Sequence, residues 1–294
     1  MLTLNLSEMK LEDVQNFLQH AIAPRPICFA STIDAQGNVN LSPFSFFNLF
    51  SLSPPIIIFS PSRRARNNTT KHTLENLLEV PEVVVNIVSH DMVRQVSLSS
   101  CEFPKGTDEF IKAGFTKESS KYIKPPRVKE SPVQMECKVI EIKPLGTEAG
   151  AGNLVIAEVL LMHIHEEILD QNGKIEQRKL DLVARLGGNW YARINADNLF
   201  EVQKPNASIG IGIDYLPDSI KNSKILSGNH LGLLANVNET PSIDSAFEDD
   251  KLKNIFQYYS IDPEEMEKEL HLYAGKLLDE GKVKEAWQVL LALA

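Results

Sequence analysis

Residues 23–64 read APRPICFASTIDAQGNVNLSPFSFFNLFSLSPPIIIFSPSRR, and their order decides the fold. The segment 27–33 is dense in β-formers and is bounded by Pro26 and by Asp34-Ala35-Gln36-Gly37. That pattern predicts a strand and a hairpin with a four-residue connection. The returning strand ends at Ser42-Pro43, where the aromatic-polar block Phe44-Ser45-Phe46-Phe47-Asn48 begins. A Pro54-Pro55 step then precedes a third strand over 56–60. Its continuous apolar run, 56–59, reads as buried on both faces.

Working outward, 73–79 reads as a helix with Thr73 at the N-cap, leucines at 74, 77 and 78, and Pro81 beyond its end. The run VVVNIV at 83–88 reads as another buried strand. Short helices are expected over 90–99 and 107–113. The polar stretch 119–132, broken by Pro125-Pro126, reads as a surface excursion. Two long strands, 133–142 and 154–165, are joined through a connector with three glycines. Asn172-Gly173 is a hairpin signal. Strands dominate from 27 to 183 without βα alternation, so an antiparallel barrel, closed or split, fits better than a doubly wound sheet.

Composition narrows the function classes. Lys plus Arg number 30 and Asp plus Glu 39, a net charge of −9. Bulk electrostatics therefore oppose nucleic acid and anionic membranes. No window approaches the ~20 apolar residues of a membrane span. The N-terminus shows neither a basic n-region nor an apolar h-region, so no secretory signal is expected. Cys28, Cys101 and Cys137 form no CxxC, which suggests reduced thiols and a cytoplasmic protein.

One local exception to the acidic balance is Arg63-Arg64-Ala65-Arg66, with Lys71 following. Cations beside a helix start make an anion site, with charge enough for one phosphate. The alternative is a solvated loop with an ordinary cap. His163 and His165 read as one face of a strand with no third ligand in register, so no metal site is assigned. Asp108-Glu109 reads as a helix-start charge pair rather than an acid–base dyad. No nucleophile–base set, Walker A or dinucleotide fingerprint occurs, and no catalytic side chain is assigned.

The opening segment, with Lys71-His72-Thr73-Leu74, Asp108-Glu109-Phe110, Glu136-Cys137 and Arg185-Leu186-Gly187-Gly188, resembles the flavin reductase-like family over residues 20–200. The resemblance implies an FMN-binding split β-barrel, mainly β with helices, with Greek-key-like antiparallel strands. It implies ring or phosphate contacts from Asn40, Ser42, Ser45, Phe46, Phe47, Asn48, Ser60, Arg63, Arg64, Lys71 and Thr73. Arg185 would place a cation beside the flavin or its pyridine nucleotide, and a tight turn with a surface arginine is the bland alternative. Phe44, Phe46 and Phe47 cannot all line one face, so at least one is core. The resemblance further implies hydride transfer from NAD(P)H to the flavin, onward electron transfer, and a homodimer. An FMN-binding electron carrier without reductase turnover is the rival, and a flavin-free barrel with a partner-binding tail is a third reading.

Composition shifts near residue 200, dividing the chain into 1–200, the FMN-binding domain, and 201–294, a C-terminal extension. Within the extension, 206–241 shows no clear period, whereas 252–259, 263–278 and 283–293 show helical spacing. The apolar stripe of Leu270, Tyr273, Leu277, Leu278, Trp287, Leu290 and Leu291 is expected to bury against the barrel or a partner subunit.

Overall fold

Strands buried on both faces at their centre, with β1 buried throughout, build one large antiparallel sheet, preceded by an amphipathic helix. The computed structural model describes residues 1–202 and 209–293, and the chain divides into two units, Met1–Phe200 and Glu201–Ala294. The first unit begins with α1 (Leu11–Ala21), β1 (Cys28–Ile33), β2 (Val39–Phe44), β3 (Phe47–Leu52) and β4 (Pro55–Phe59). It continues through α2 (His72–Glu79), β5 (Glu82–Ile87), α3 (Val93–Leu98), α4 (Glu109–Ala113), β6 (Lys117–Glu118) and β7 (Arg127–Val128). The long strands β8 (Val133–Pro144) and β9 (Asn153–Ile164) follow, then the small hairpin β10 (Leu182–Arg185) and β11 (Tyr191–Ile194).

Seven strands form the main sheet in the order β2-β1-β5-β8-β9-β4-β3, and every pairing is antiparallel. Period-two alternation in β1 sends Cys28 and Ala30 to one core and Phe29 to another. The first core gathers Phe44, Phe59, Val85 and Cys137; the second gathers Leu41, Phe110, Phe115 and Val128. Phe29 meets Phe115 edge-on, with ring centroids 5.3 Å apart. Cys28 and Cys137 are buried fillers whose thiols burial pushes upward, whereas Cys101 is exposed.

Two expectations need correction here, for 56–59 and for 119–132. The run 56–59 buries Ile57 and Phe59 but leaves Ile56 and Ile58 half-buried, because β4 lies next to the edge strand. Within the block at 44–48, Phe44 ends β2, and Phe47 and Asn48 open the edge strand β3, which pairs with β4 as a hairpin across Ser53-Pro54. The stretch 119–132 is no plain surface excursion, since Ile123, Val128 and Ser131 are buried. Its backbone N–H groups at Lys121, Tyr122 and Ile123 donate to the fully buried Glu136 carboxylate. Polar composition concealed that anchor, because the apolar contacts are few and the main attraction is to a single carboxylate.

The second unit contains α5 (Asp218–Lys221), α6 (Gly228–Ala235), α7 (Asp250–Tyr258), α8 (Pro263–Asp279) and α9 (Val283–Leu291). Part of the aperiodic stretch 206–241 is thus helical, while residues 203–208 lie outside the described residues. Helices α5 and α6 are too short to carry a legible period. The apolar stripe closes within this unit: Leu270, Leu277, Trp287, Leu290 and Leu291 pack with Leu216, Ile220, Leu234 and Ile255. Tyr273 joins them at the margin and donates its hydroxyl to Asp249. The expected burial against the barrel or a partner is therefore replaced by an internal core, and Trp287 Nε1 donates to the Leu234 carbonyl at 3.3 Å.

Candidate functional site

A cavity of about 600 Å³ opens where the end of β2, the loop after β4 and one face of α1 converge. Pro43, Phe44, Ser45 and Phe46 form one wall, and Ser60, Arg63, Arg64 and Lys71 form the cationic end. Leu11, Val14 and Leu18 of α1 supply an apolar wall. Their i, i+3, i+7 spacing is the signal by which sequence reading could have found them.

The cationic end is built by local backbone pairing. The Arg63 N–H donates to the Ala151 carbonyl at 2.8 Å, and the Gly150 N–H donates back to the Arg63 carbonyl at 3.3 Å. Glycine permits this approach: a Cβ at Gly152 would stand 2.7 Å from Ser60 Oγ. Ser60 Oγ accepts the Asn153 N–H at 3.1 Å, so its own hydrogen is available to a ligand.

The cations differ in what occupies them. Arg63 is spent on Asn68, its Nε donating to Oδ1 at 2.6 Å. Arg64 donates through Nη1 to Thr69 and Thr70, but its Nε is buried without a hydrogen-bond partner. Glu102 lies 3.7 Å from that Nε and also pairs with Arg66. Lys71 has no hydrogen bond or ion pair among the described residues. Burial and then the neighbouring Arg64 charge hold its ammonium below the usual lysine range. An unpaired guanidinium nitrogen and a partly desolvated ammonium on one wall suit a phosphate-sized anion.

Thr73 does not cap the helix. Lys71 is the N-cap residue, with extended backbone and no capping side chain, and α2 starts at His72. Thr73 instead donates its hydroxyl to Asn40 Oδ1 at 2.6 Å, and Asn40 Nδ2 donates to Glu109 Oε1 at 3.0 Å. Glu109 also accepts the Leu41 N–H, and burial raises its carboxyl above the usual value. This buried chain shuts Asn40, Thr73 and Ser42 into a crevice of about 20 Å³, which Arg64, Lys71 and Glu102 also line. The Asp108 side chain accepts the Phe110 N–H, so the pair at 108–109 starts a helix as read from sequence.

Other assigned residues scatter. Phe44 is core, 5.6 Å from the Phe59 ring, with an edge in the cavity. Phe47 packs on the same core, and Asn48 is exposed with its Oδ1 accepting the Leu49 N–H; neither lines the cavity. His163 Nε2 lies 2.7 Å from Glu136, while His165 falls just beyond β9 and faces Glu167. Arg185 lines a second cavity of about 540 Å³, which shares Pro43, Phe44 and Ser45 with the first. Sequence reading missed Glu102, whose position comes from the fold alone.

With this geometry in place, comparison with known proteins becomes informative. The flavin reductase like domain family matches residues 20–179. An uncharacterized protein of Aquifex aeolicus is 39% identical over 172 residues, 58% of this chain and 85% of that protein. Among solved structures, nitrilotriacetate monooxygenase component B from Bacillus cereus is 31% identical with a TM-score of 0.64, covering 69% of this chain and 98% of that one. The 2-nitrobenzoate 2-nitroreductase of Pseudomonas fluorescens shares the fold at 24% identity and a TM-score of 0.63, covering 72% and 100%. The match spans more than half of the sequence and includes β1 through β9, with the cavity between them: the chain belongs to the flavin reductase-like domain family, a family of flavin-related proteins on a split barrel.

Proposed function

We propose that this protein is an FMN-dependent oxidoreductase that draws hydride from NAD(P)H and passes electrons onward. The observation that carries the reading is Lys71 beside the Arg64 Nε, which has no hydrogen bond and only a 3.7 Å ion pair to Glu102, at one end of a cavity whose other end is the Pro43–Phe46 wall. Arg64, Lys71 and Ser60 would hold the phosphate, with Arg63 adding its charge from its bonds to Asn68. The backbone at 43–46, which leaves β2 at Phe44 and bends at Ser45 and Phe46, would lie along the ring, and α1 would keep water from one side of it. When bound, the flavin supplies the hydride-accepting chemistry, so the protein needs no nucleophile of its own. The test is FMN titration followed by NADH and NADPH oxidation with and without FMN. Saturable FMN binding with nicotinamide oxidation supports the reading. Binding without oxidation favours the electron carrier, and no binding removes both.

Glu102 sits where a phosphate would compete with it for Arg64 and Arg66. Glu102→Gln is expected to tighten FMN by up to about fivefold, since an exposed ion pair contributes at most about 1 kcal/mol. Riboflavin affinity is expected to stay constant. Unchanged FMN affinity in the variant would mean that the phosphate does not approach Glu102.

A homodimer forms part of this reading. On the edge strand β3, Leu49, Phe50 and Leu52 are 55%, 64% and 81% exposed. An apolar edge with free backbone groups is costly to leave in water, and a second copy would cover it. Phe50→Glu with Leu52→Glu is expected to shift the protein to monomer in sedimentation velocity. A native mass unaffected by the double change would place self-association elsewhere.

A further inference from the structure

The second cavity carries an inference that goes beyond the flavin reading and does not depend on it. Its walls are apolar at Ile27, Phe44, Val96 and Tyr191, and its charged lining residue is Arg185. The guanidinium stacks 4.6 Å from the Tyr191 ring centroid, and Nη2 donates to the Gly188 carbonyl at 2.8 Å. Stacking and that single bond fix the plane of the fork while leaving its other N–H groups without partners among the described residues.

The surroundings are cationic. Arg25 pairs with Arg185 through the backbone in both directions, at 2.9 and 2.8 Å. It is 7% exposed, and its guanidinium donates to the carbonyls of Gln19, Ile22 and Leu186. Neither arginine has a carboxylate partner among the described residues. Burial and then the Arg185 charge lower the Arg25 pKa, a further sign of uncompensated positive charge. In a chain of net charge −9, such a pair is unusual and favours an anion. A guanidinium fork matches a carboxylate bidentately, and the apolar walls beside it suit a planar ring.

We propose that this cavity, which adjoins the first along Pro43–Ser45, binds a small aromatic or conjugated carboxylate, with the carboxylate on Arg185 and the ring among Ile27, Phe44 and Val96. Ser45 and Asn189 add polar contacts at its border. The site discriminates by charge at Arg185 and by shape at the apolar walls.

Calorimetric titration of the full chain, without FMN and again with FMN added, against benzoate and its neutral analogue benzamide tests this. Benzoate is expected to bind saturably and at least about tenfold more tightly than benzamide. Arg185→Met should abolish that preference, and Arg185→Lys should restore part of it. Ser97→Trp, at an exposed position on the rim, should block both ligands, with circular dichroism confirming that each variant is folded. Equal binding of benzoate and benzamide, no benzoate binding at millimolar concentration, or an undiminished preference in Arg185→Met would overturn the proposal.

Discussion

Replacing Lys71 or Arg64 with methionine is expected to weaken FMN binding by roughly ten- to a hundredfold while changing riboflavin binding less than about twofold. The two ligands differ only in the phosphate, so their ratio isolates what these cations contribute. A charge-assisted hydrogen bond contributes about 1.5–3 kcal/mol, and desolvation strengthens it. Lys71 meets that condition, being half-buried, depressed in pKa by burial and Arg64, and unpaired. Arg64 meets it through its buried, unpartnered Nε. Thr73→Ala separates a direct contact from support, because the Thr73 hydroxyl already donates to Asn40. That variant is expected to loosen the Asn40–Glu109 chain and lower stability, with the FMN-to-riboflavin ratio close to that of the parent. Fluorescence titration with both ligands reads all three variants. A ratio that survives the loss of both Lys71 and Arg64 would move the phosphate to another part of the molecule.

The sheet was legible because its signals are local. Pro26, the 34–37 turn and the β-branched runs fix β1, β2 and β5 within about one residue of their observed bounds. Helices α7, α8 and α9 announced themselves by period, and α8 by Asp262-Pro263, which caps and opens it. Strand β3 was hidden because its exposed Leu49, Phe50 and Leu52 are apolar while its half-buried Ser51 is polar, and its register shifts between Leu49 and Ser51, so no alternation marks it. The destination of the C-terminal stripe was equally illegible. A stripe reports that something must cover it, and only tertiary structure says that Leu216, Ile220, Leu234 and Ile255 do so.

The site divides in the same way. The cationic end of the cavity was readable because Arg63, Arg64 and Arg66 are neighbours in sequence. What completes the cavity comes from distant segments: Leu11 and Leu18 from α1, Glu102 after α3, and Gly150 between β8 and β9. Thr73 shows the limit of motif reading. A Thr at a helix start is usually a cap, but Asn40 across the β2 strand offered it a buried acceptor, and the helix began one residue earlier.

Glu136→Ala is expected to cost about 3–5 kcal/mol of stability, a drop in melting temperature on the order of 10 °C for a unit of this size. The carboxylate is fully buried in β8 and accepts the N–H groups of Lys121, Tyr122 and Ile123 at 2.8, 2.7 and 3.3 Å, with His163 Nε2 at 2.7 Å. Removing it leaves those donors unpaired and frees the 119–132 stretch from its anchor. Burial pushes this carboxyl upward, but the backbone donors and His163 outweigh it, and the net pKa lies below the ordinary 4.5. A carboxyl depressed in the folded state binds fewer protons there than in the unfolded chain. Its stabilisation is therefore complete above about pH 4.5 and is lost as pH falls through the folded value. The parent should lose stability steeply in that acid window, and Glu136→Ala, already lacking the contribution, should lose less over the same range. Urea unfolding at a series of pH values from 7 downward measures both curves. If the two run parallel through the acid window, Glu136 is not the group whose protonation releases the 119–132 stretch.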